Sequence, residues 1–278
     1  VAPTVWAWRP GRAAKMARHV DQVLALFPFE PPYMEAAGMR CDFVGHPVVT
    51  DPQATAADVA RFRLTQGLGE APMLLVLPGS RRSEVTRLAP VFGEVIARLH
   101  AARPDLRFVL PAAAPVAGLV QALVADWPGR PIVLDPRDLG AEAALVKRSA
   151  FAAADVALAA SGTVSLELAA VGTPMVVAYD MNWISRQVIG RMLRIDTVTL
   201  VNLVSDTRVV PEFIGPKCRP GPIAEAVLAT LDAPQAQARA VIDGHFDAEV
   251  AATGCFIGDA AAELSARGAD VQAIVSRF

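Results

Sequence analysis

Two short polar segments of the chain combine residue types that bind phosphate and ribose. The first spans residues 77–84, with the sequence LPGSRRSE, and its candidate ligand-binding residues are Gly79, Ser80, Arg81 and Glu84. Glycine lets a backbone approach a ligand closely, N–H groups at a helix start face anions, and a guanidinium suits phosphate oxygens. An ordinary helix start capped by a serine of this segment explains the same residues. The residue types alone leave both interpretations open.

The second polar segment spans residues 160–167, with the sequence ASGTVSLE, and contributes Ser161, Gly162, Thr163 and Glu167. Gly162 again permits close approach, and the N–H groups that follow it can hold a pyrophosphate. Glu167 lies one helical turn beyond Thr163, so both can face one crevice, where a carboxylate suits the ribose diol of a nucleotide. A capping box is the alternative, but Glu167 is one residue too far from Thr163 for it. This mismatch favours the functional interpretation.

Both polar segments follow apolar runs, bounded by Gly or Pro, that are typical of buried parallel strands. The predicted strands span residues 73–77, 108–110, 132–134, 156–159 and 175–179, and the predicted helices between them span 84–102, 115–125, 141–150 and 163–170. This alternation predicts an α/β fold with a doubly wound parallel sheet. Because ligands bind at the carboxyl ends of parallel strands, we expect one nucleotide to bridge the two polar segments.

The same patterns predict three parts of the chain. Residues 1–50 hold too few elements to close a domain and are interpreted as the end of a first domain, residues 51–232 as the complete doubly wound domain, and residues 233–278 as C-terminal helices. The first part has predicted strands at 1–7, 23–27 and 42–45 and helices at 12–20 and 31–37, and the last part has helices at 235–252 and 259–277.

Composition excludes several classes of protein. With 26 Lys and Arg against 28 Asp and Glu, the net charge of −2 argues against a general nucleic-acid-binding surface. The three cysteines lie far apart, which favours a reducing compartment, and the four histidines lack metal-ligand spacing. We therefore expect no metal site and no cofactor. An uncharged stretch at 108–125 is interrupted by Pro111 and Pro115, so it predicts a strand, a turn and a helix rather than a membrane span.

The start of the chain is basic and aromatic. It contains Trp6, Trp8, Arg9, Arg12, Lys15 and Arg18, with no acidic residue before Asp21. The basic residues form either a solvated helix face or a surface for anionic lipid, with tryptophan at the interface. Further along, His46 has two interpretations, an interdomain hinge residue or a catalytic base.

Eight segments, taken together in chain order, closely resemble the lipid-A-disaccharide synthase family. They are VWAWR (5–9), LFPFE (26–30), FVGHP (43–47), LPGSR (77–81) with Glu84, ASGT (160–163) with Glu167, PMVV (174–177) with Tyr179, VNL (201–203) and VPE (210–212). Their joint occurrence makes the resemblance specific. It implies a glycosyltransferase of the GT-B type, with one complete Rossmann-like doubly wound domain and the C-terminal part of a second.

The implied reaction transfers 2,3-diacylglucosamine from UDP to 2,3-diacylglucosamine 1-phosphate (lipid X), with inversion of the anomeric centre and without a metal. The product is the β-1,6-linked disaccharide of lipid A. The implied partners are UDP-2,3-diacylglucosamine, lipid X and the cytoplasmic face of the bacterial inner membrane, and a homodimer is compatible with the resemblance. No nucleic acid is expected.

The resemblance also implies roles for single residues. Asn202 and Glu212 join the residues of the two polar segments as UDP-sugar ligands, and Arg81 becomes the catalytic group that stabilises charge on the leaving phosphate. The family's proposed base, an aspartate, is expected in an N-terminal segment of about a hundred residues that this sequence lacks. The chain departs from the family pattern at Gly215, where glutamine is common, and at Asp180, where lysine is common.

Two other functions stay open. One is a different UDP-N-acetylglucosamine enzyme of the same architecture, such as a muramyl-lipid glycosyltransferase or a 2-epimerase, which the VWAWR and GHP segments disfavour. The other is a nucleotide-binding module without activity, because the expected base is not in this sequence.

Overall fold

The computed structural model describes residues 2, 3, 5, 11–180 and 197–233. These residues divide into two units, one ending at Asp51 and the other beginning at Pro52. Several predicted features lie outside the described residues, namely Trp6, Trp8, Arg9 and the helices at 235–252 and 259–277. Among the described helices, none is long and apolar enough to cross a membrane.

The N-terminal unit is built around two parallel strands, β1 (Gln22–Ala25) and β2 (Arg40–Phe43). The helices α1 (Gly11–Met16) and α2 (Pro31–Glu35) accompany them. A small apolar core joins these elements and comprises Val5, Ala13, Val23, Met34 and Met39.

The strand predicted at 1–7 is wrong for the residues that the structure describes there. Residues 2 and 3 belong to no element, and Val5 lies in a turn. The Ala2 N–H still donates to the Leu24 carbonyl at 2.9 Å, but Pro3 has no N–H to continue a ladder, and the Val5 N–H turns back onto the Pro3 carbonyl.

Two polar side chains of this unit satisfy its backbone. The Glu30 carboxylate is 2% exposed and accepts hydrogen bonds from the N–H groups of Leu26 (2.9 Å) and Phe27 (3.1 Å). His46 Nδ1 accepts the Val48 N–H at 3.2 Å, at the start of a 3₁₀ turn (Pro47–Thr50), and its ring stacks on Phe27. A buried carboxylate needs such partners, and this explains the acid at the end of the LFPFE segment.

The second unit contains a six-stranded, fully parallel sheet. Its strands are β3 (Met73–Leu77), β4 (Arg107–Pro111), β5 (Ile132–Leu134), β6 (Val156–Ala160), β7 (Met175–Tyr179) and β8 (Glu212–Ile214). Their spatial order is β5-β4-β3-β6-β7-β8, which is the order of dinucleotide-binding Rossmann folds. The strands β3 and β6 are therefore neighbours, although two strands separate them in the sequence.

Eight described helices precede, connect or follow the strands of this sheet. They are α3 (Ala56–Thr65), α4 (Arg82–Ala102), α5 (Ala117–Val124), α6 (Pro136–Leu139), α7 (Ala143–Ala152), α8 (Val164–Ala170), α9 (Leu200–Val204) and α10 (Pro220–Asp232). Short 3₁₀ turns, Ala114–Val116 and Gly140–Glu142, precede α5 and α7, where single regular helices were predicted.

The core of the second unit forms because both faces of the sheet are covered. Every residue of β3 and β6 is buried, as expected for strands that lie between two layers of helices. Helix α4 buries one apolar face, comprising Val85, Leu88, Ala89, Phe92, Val95, Ile96 and Leu99. These positions recur with helical period, and fully burying one such large apolar side chain stabilises a fold by about 1.5–3 kcal/mol.

Candidate functional site

The two polar segments leave the sheet side by side. The first follows β3 and the second follows β6, and these strands pair in parallel with Leu77 opposite Ala159. The strand order reverses at this pair. The strands β4 and β5 are added on one side of β3, and the strands β6, β7 and β8 are added on the other side. Such a switch point, at the carboxyl ends of the strands, is where open α/β sheets bind ligands.

The loop after β3 is held in shape by Glu84, which lies in the first turn of α4. Glu84 Oε2 accepts the N–H groups of Ser80 (3.2 Å) and Arg81 (3.3 Å), and Glu84 Oε1 accepts a bond from Arg81 Nη1 at 2.7 Å. Gly79 has φ +116°, and a Cβ added there would lie 2.7 Å from the Glu84 Cβ. Glycine is therefore required for the glutamate to fold back under the loop.

Arg81 is the exposed cation of this loop. Its side chain is 77% exposed, whereas that of Glu84 is 15% exposed. The hydrogen bond that the Arg81 guanidinium donates to Glu84, together with the negative charge of that carboxylate, raises the pKa of the guanidinium above its ordinary value. The arginine is thus charged at any working pH, and its carboxylate partner limits the directions in which it can point.

The loop after β6 is open to ligand. A Cβ added to Gly162 would meet no atom within 4 Å, so this glycine leaves free space beside the backbone. Ser161 is half-buried and its Oγ donates to the Val198 carbonyl at 3.5 Å, while Thr163 is exposed just before α8. The loop therefore presents small groups and no bulky side chain to the space above the sheet.

Glu167 meets a residue that the sequence did not single out. Lys147, on α7, places its Nζ 2.5 Å from Glu167 Oε2, and the Nζ also lies 5.1 Å from the centre of the Phe151 ring. Both side chains of the ion pair are partly exposed. Nothing in the local sequence distinguishes Lys147 from its neighbour Arg148, so only the packing of α7 beside the second loop reveals it.

One cleft of about 700 Å³ joins both loops. Eight predicted ligand-binding residues line it, namely Gly79, Ser80, Arg81, Glu84, Ser161, Gly162, Thr163 and Glu167. The remaining wall is largely apolar and includes Ala112, Ala113, Leu134, Pro136, Leu139 and Phe151. Its charged lining residues are two cations, Arg81 and Lys147, and two carboxylates, Glu84 and Glu167. Such a mixture of polar loops and an apolar wall is typical of small-molecule sites.

Asn202 and Glu212 do not line this cleft. The Asn202 side chain is fully buried, and it donates to the Val210 carbonyl and accepts the Val210 N–H, both at 3.0 Å. Glu212 Oε2 accepts four hydrogen bonds from the segment before α9, including those of Thr199 N–H (3.1 Å) and Thr199 Oγ1 (2.7 Å). Their polar atoms bind groups of residues 197–199 and 210, and their contact with a UDP-sugar stays a prediction.

Two further observations concern Gly215 and the arrangement of metal-ligand side chains. Gly215, where the resemblance leads us to expect glutamine, is buried with φ +59°, a conformation that a residue with a side chain adopts only with strain. Among the residues that the structure describes, no group of three or more His, Cys, Asp or Glu side chains is arranged to hold a metal ion.

Comparison with protein families places the chain among known proteins. A family model described as lipid-A-disaccharide synthetase matches residues 1–262. The lipid-A-disaccharide synthase of Ruegeria pomeroyi is 64% identical over 238 residues, which cover 85% of this chain and 59% of that protein. That of Rhodospirillum centenum is 49% identical over 245 residues, covering 88% of this chain and 59% of the relative. The chain thus spans about three fifths of the length of these relatives.

Solved structures show the same fold at low sequence identity. The crystal structure of Anabaena HepE in complex with UDP-glucose matches with a TM-score of 0.55 and 13% identity, covering 92% of this chain and 67% of that one. UDP-GlcNAc 2-epimerase from Neisseria meningitidis bound to UDP-GlcNAc matches with a TM-score of 0.53 and 14% identity, covering 80% and 56%. The fold class predicted from the sequence, α/β of the GT-B type with a complete Rossmann-like domain, is confirmed.

Proposed function

Because the chain belongs to the lipid-A-disaccharide synthetase family, we propose that it carries the donor-binding part of an inverting glycosyltransferase. The enzyme joins UDP-2,3-diacylglucosamine to 2,3-diacylglucosamine 1-phosphate. The 6-hydroxyl of the acceptor attacks the anomeric carbon of the donor, the bond from that carbon to the UDP oxygen breaks, and a base takes the hydroxyl proton. The products are the β-1,6-linked disaccharide 1-phosphate and UDP.

The single observation that supports this assignment is the cleft that contains both polar loops. In our proposal the diphosphate of UDP lies at the loop of Gly79, Ser80 and Arg81. The ribose diol lies at Glu167, and the apolar wall of the cleft accommodates the uracil ring. The length of a nucleoside diphosphate suits a site that spans two neighbouring strand ends.

Arg81 has the central chemical role in this proposal. As the glycosidic bond breaks, negative charge grows on the β-phosphate of the leaving UDP. A preorganised guanidinium stabilises that charge more in the transition state than in the ground state, which lowers the barrier. Glu84, in the first turn of α4, holds the Arg81 side chain at an Oε1–Nη1 distance of 2.7 Å. The guanidinium therefore needs little reorganisation during the reaction.

The acceptor and the location of the enzyme complete the proposal. Both substrates carry acyl chains, so the enzyme works at the cytoplasmic face of the inner membrane as a peripheral protein. Residues 1–50 belong to the acceptor-side domain, and residues 51–232 to the donor-side domain. The Anabaena and Neisseria structures, which hold UDP-sugars, support the assignment of the donor half through their shared fold.

A binding and turnover experiment tests the proposal. The protein expressed from its complete reading frame should bind UDP by calorimetry and should form the disaccharide from UDP-2,3-diacylglucosamine and lipid X. Glu167→Ala should weaken UDP binding by about 10- to 100-fold, because it removes charge-assisted bonds to the ribose worth about 1.5–3 kcal/mol. Lys217→Met, at an exposed position outside the cleft, is the control and should bind UDP normally.

The outcomes separate the alternatives. UDP binding without transfer to lipid X, with turnover of UDP-N-acetylglucosamine instead, would favour an epimerase or another glycosyltransferase. Binding with no turnover of either donor would favour a nucleotide-binding module. UDP affinity that is unchanged in Glu167→Ala would remove this residue from the site.

A further inference from the structure

Lys147 occupies a defined position in the cleft. Its ammonium group contacts Glu167 Oε2 at 2.5 Å and lies 5.1 Å from the ring centre of Phe151, one helical turn further along α7. Phe151 is 2% exposed, so its ring is fixed in the core. A cation held between a carboxylate and a fixed aromatic ring has less freedom than an ordinary surface lysine.

The contact with Lys147 also restricts Glu167. One carboxylate oxygen, Oε2, faces the lysine, and within the described residues the other oxygen, Oε1, has no hydrogen-bond partner. A carboxylate has about four lone-pair sites, so Glu167 can still accept bonds from two hydroxyl groups while it is held by the lysine. Without the lysine, the carboxylate would turn freely about its side-chain torsions, and each productive orientation would become rarer.

We propose that Lys147 is a positioning residue, which holds the Glu167 carboxylate in the orientation that binds the ribose hydroxyl groups of the donor. This inference rests on the proposed function, because it assumes that Glu167 binds ribose. It predicts that Lys147 affects the recognition of the ribose and not the binding of the diphosphate. A lysine that contacted phosphate directly would have the opposite effect.

Two ligands that differ by one hydroxyl group separate these roles. UDP and 2′-deoxy-UDP are titrated into the protein expressed from its complete reading frame. The wild type should prefer UDP by about tenfold or more, as expected for one hydrogen bond to a charged group. Lys147→Met should lose most of this preference, and it should weaken 2′-deoxy-UDP, which keeps the 3′-hydroxyl, by much less than it weakens UDP. Lys147→Arg keeps the charge and should restore most of the preference.

The controls make each failure distinct. Lys217→Met removes an exposed lysine outside the cleft and should leave both affinities unchanged. Adding Lys147→Met to Glu167→Gln should cause little further loss of preference, because residues that act as one unit are not additive. Thermal unfolding should show that the variants are folded, since a partly exposed ion pair contributes little to stability.

Three results would overturn a specific part of the argument. If the wild type binds neither ligand, the proposed function fails. If the wild type prefers UDP and Lys147→Met keeps that preference, only the positioning role fails. If Lys147→Met weakens both ligands equally, the lysine binds the phosphates and the positioning role is again wrong.

Discussion

At the scale of single residues, the loop after β3 shows how one carboxylate can fix both a loop backbone and a cation beside it. Glu84 bonds to two backbone N–H groups of the loop and to the Arg81 side chain at once. The arginine therefore reaches the cleft on a loop whose shape is already set. In the reaction that we propose, this arrangement would favour transition-state stabilisation, because preorganised charges need not reorient as the reaction proceeds.

We expect Arg81→Ala to lower kcat by about 10²–10³-fold, the scale seen when one preorganised donor is removed. Its effect on donor KM should be smaller, because the charge on the leaving phosphate develops fully only late in the reaction. Steady-state kinetics of the protein expressed from its complete reading frame, with UDP-2,3-diacylglucosamine and lipid X, measure both quantities.

The neighbouring arginine supplies the matched control. Arg82 is exposed and does not line the cleft, so Arg82→Ala should retain most of the activity. Arg81→Lys keeps the charge without the two-pronged donor geometry and should fall between the wild type and Arg81→Ala. A crippled Arg82→Ala, or an Arg81→Ala variant whose KM rises with kcat intact, would contradict the assigned role.

Residue types predicted part of the site and missed the rest for physical reasons. Glycines and small polar residues directly after a strand mark the switch point, so the two loops were predictable. Lys147 was not predictable, because the sequence does not reveal where the side chain of a helical lysine points or which residue it contacts. Asn202 and Glu212 illustrate the converse, since a polar residue in a recognised segment can equally well satisfy buried backbone groups.

At the scale of elements, helix α4 packs against Trp127 through a glycine. A Cβ added to Gly93 would lie 2.8 Å from Trp127 Nε1 and 3.0 Å from Cε2. Both distances are shorter than a normal van der Waals contact of a Cβ atom. The indole is partly buried and packs against the core, so it has little room to move away. Gly93 thus gives up helix propensity in exchange for close packing.

We expect Gly93→Ala to lower the free energy of unfolding by about 1–3 kcal/mol, the usual effect of overpacking. In a Trp127→Ala background the sign should reverse, because the ring is gone and alanine is favoured over glycine in a helix by up to about 1 kcal/mol. Urea unfolding followed by circular dichroism measures the four variants of this cycle.

A second glycine tests the argument independently. Gly118 lies on α5, and a Cβ added there would meet only Arg137 Nη2 at 3.8 Å, an ordinary contact. Gly118→Ala should therefore stabilise the protein. Equal effects of Gly93→Ala in both Trp127 backgrounds would show that the indole is not the cause.

The elements that the sequence predicted best are those buried on both faces. The bounds of β3 and β7 agree with the prediction, because continuous apolar runs between Gly or Pro residues have no other stable environment. The bounds of the edge strand β5 also agree, although two of its three residues are only partly buried. Helix α3 was missed because Phe62 is its only buried residue, so it has almost no apolar stripe. Strand β8 was missed because Pro211 and Glu212 interrupt its apolar run, whereas the equally short edge strand β5 is apolar throughout.

At the scale of the whole molecule, the basic start of the chain remains a candidate membrane surface. Arg12 and Lys15 on α1, and Arg18 in the turn after it, are all exposed, and Ala13 of α1 packs in the core of its unit. Exposed cations near an anionic lipid surface contribute about 1 kcal/mol each, and salt screens this attraction.

We expect the protein expressed from its complete reading frame to co-sediment with anionic vesicles at low salt. Replacing Arg9, Arg12, Lys15 and Arg18 by glutamine should strongly reduce this binding. The matched control replaces four exposed basic residues elsewhere, Arg61, Arg98, Lys217 and Arg219, and so removes the same net charge. Equal loss in both variants would indicate a general charge effect, and equal binding by wild type and the first variant would contradict the proposal.

The strand order of the large sheet also bears on how the protein is made. Of the six strands of this sheet, β3 leaves the ribosome first. In the finished sheet β3 pairs with both β4 and β6. Each later strand then joins a free edge, β4 and β5 on one side and β6, β7 and β8 on the other. No strand has to insert between two that are already paired, so a nascent chain can build the sheet outward by simple addition. The cleft between the two polar loops, which needs the loops after both β3 and β6, takes shape only when the sheet begins to grow in its second direction.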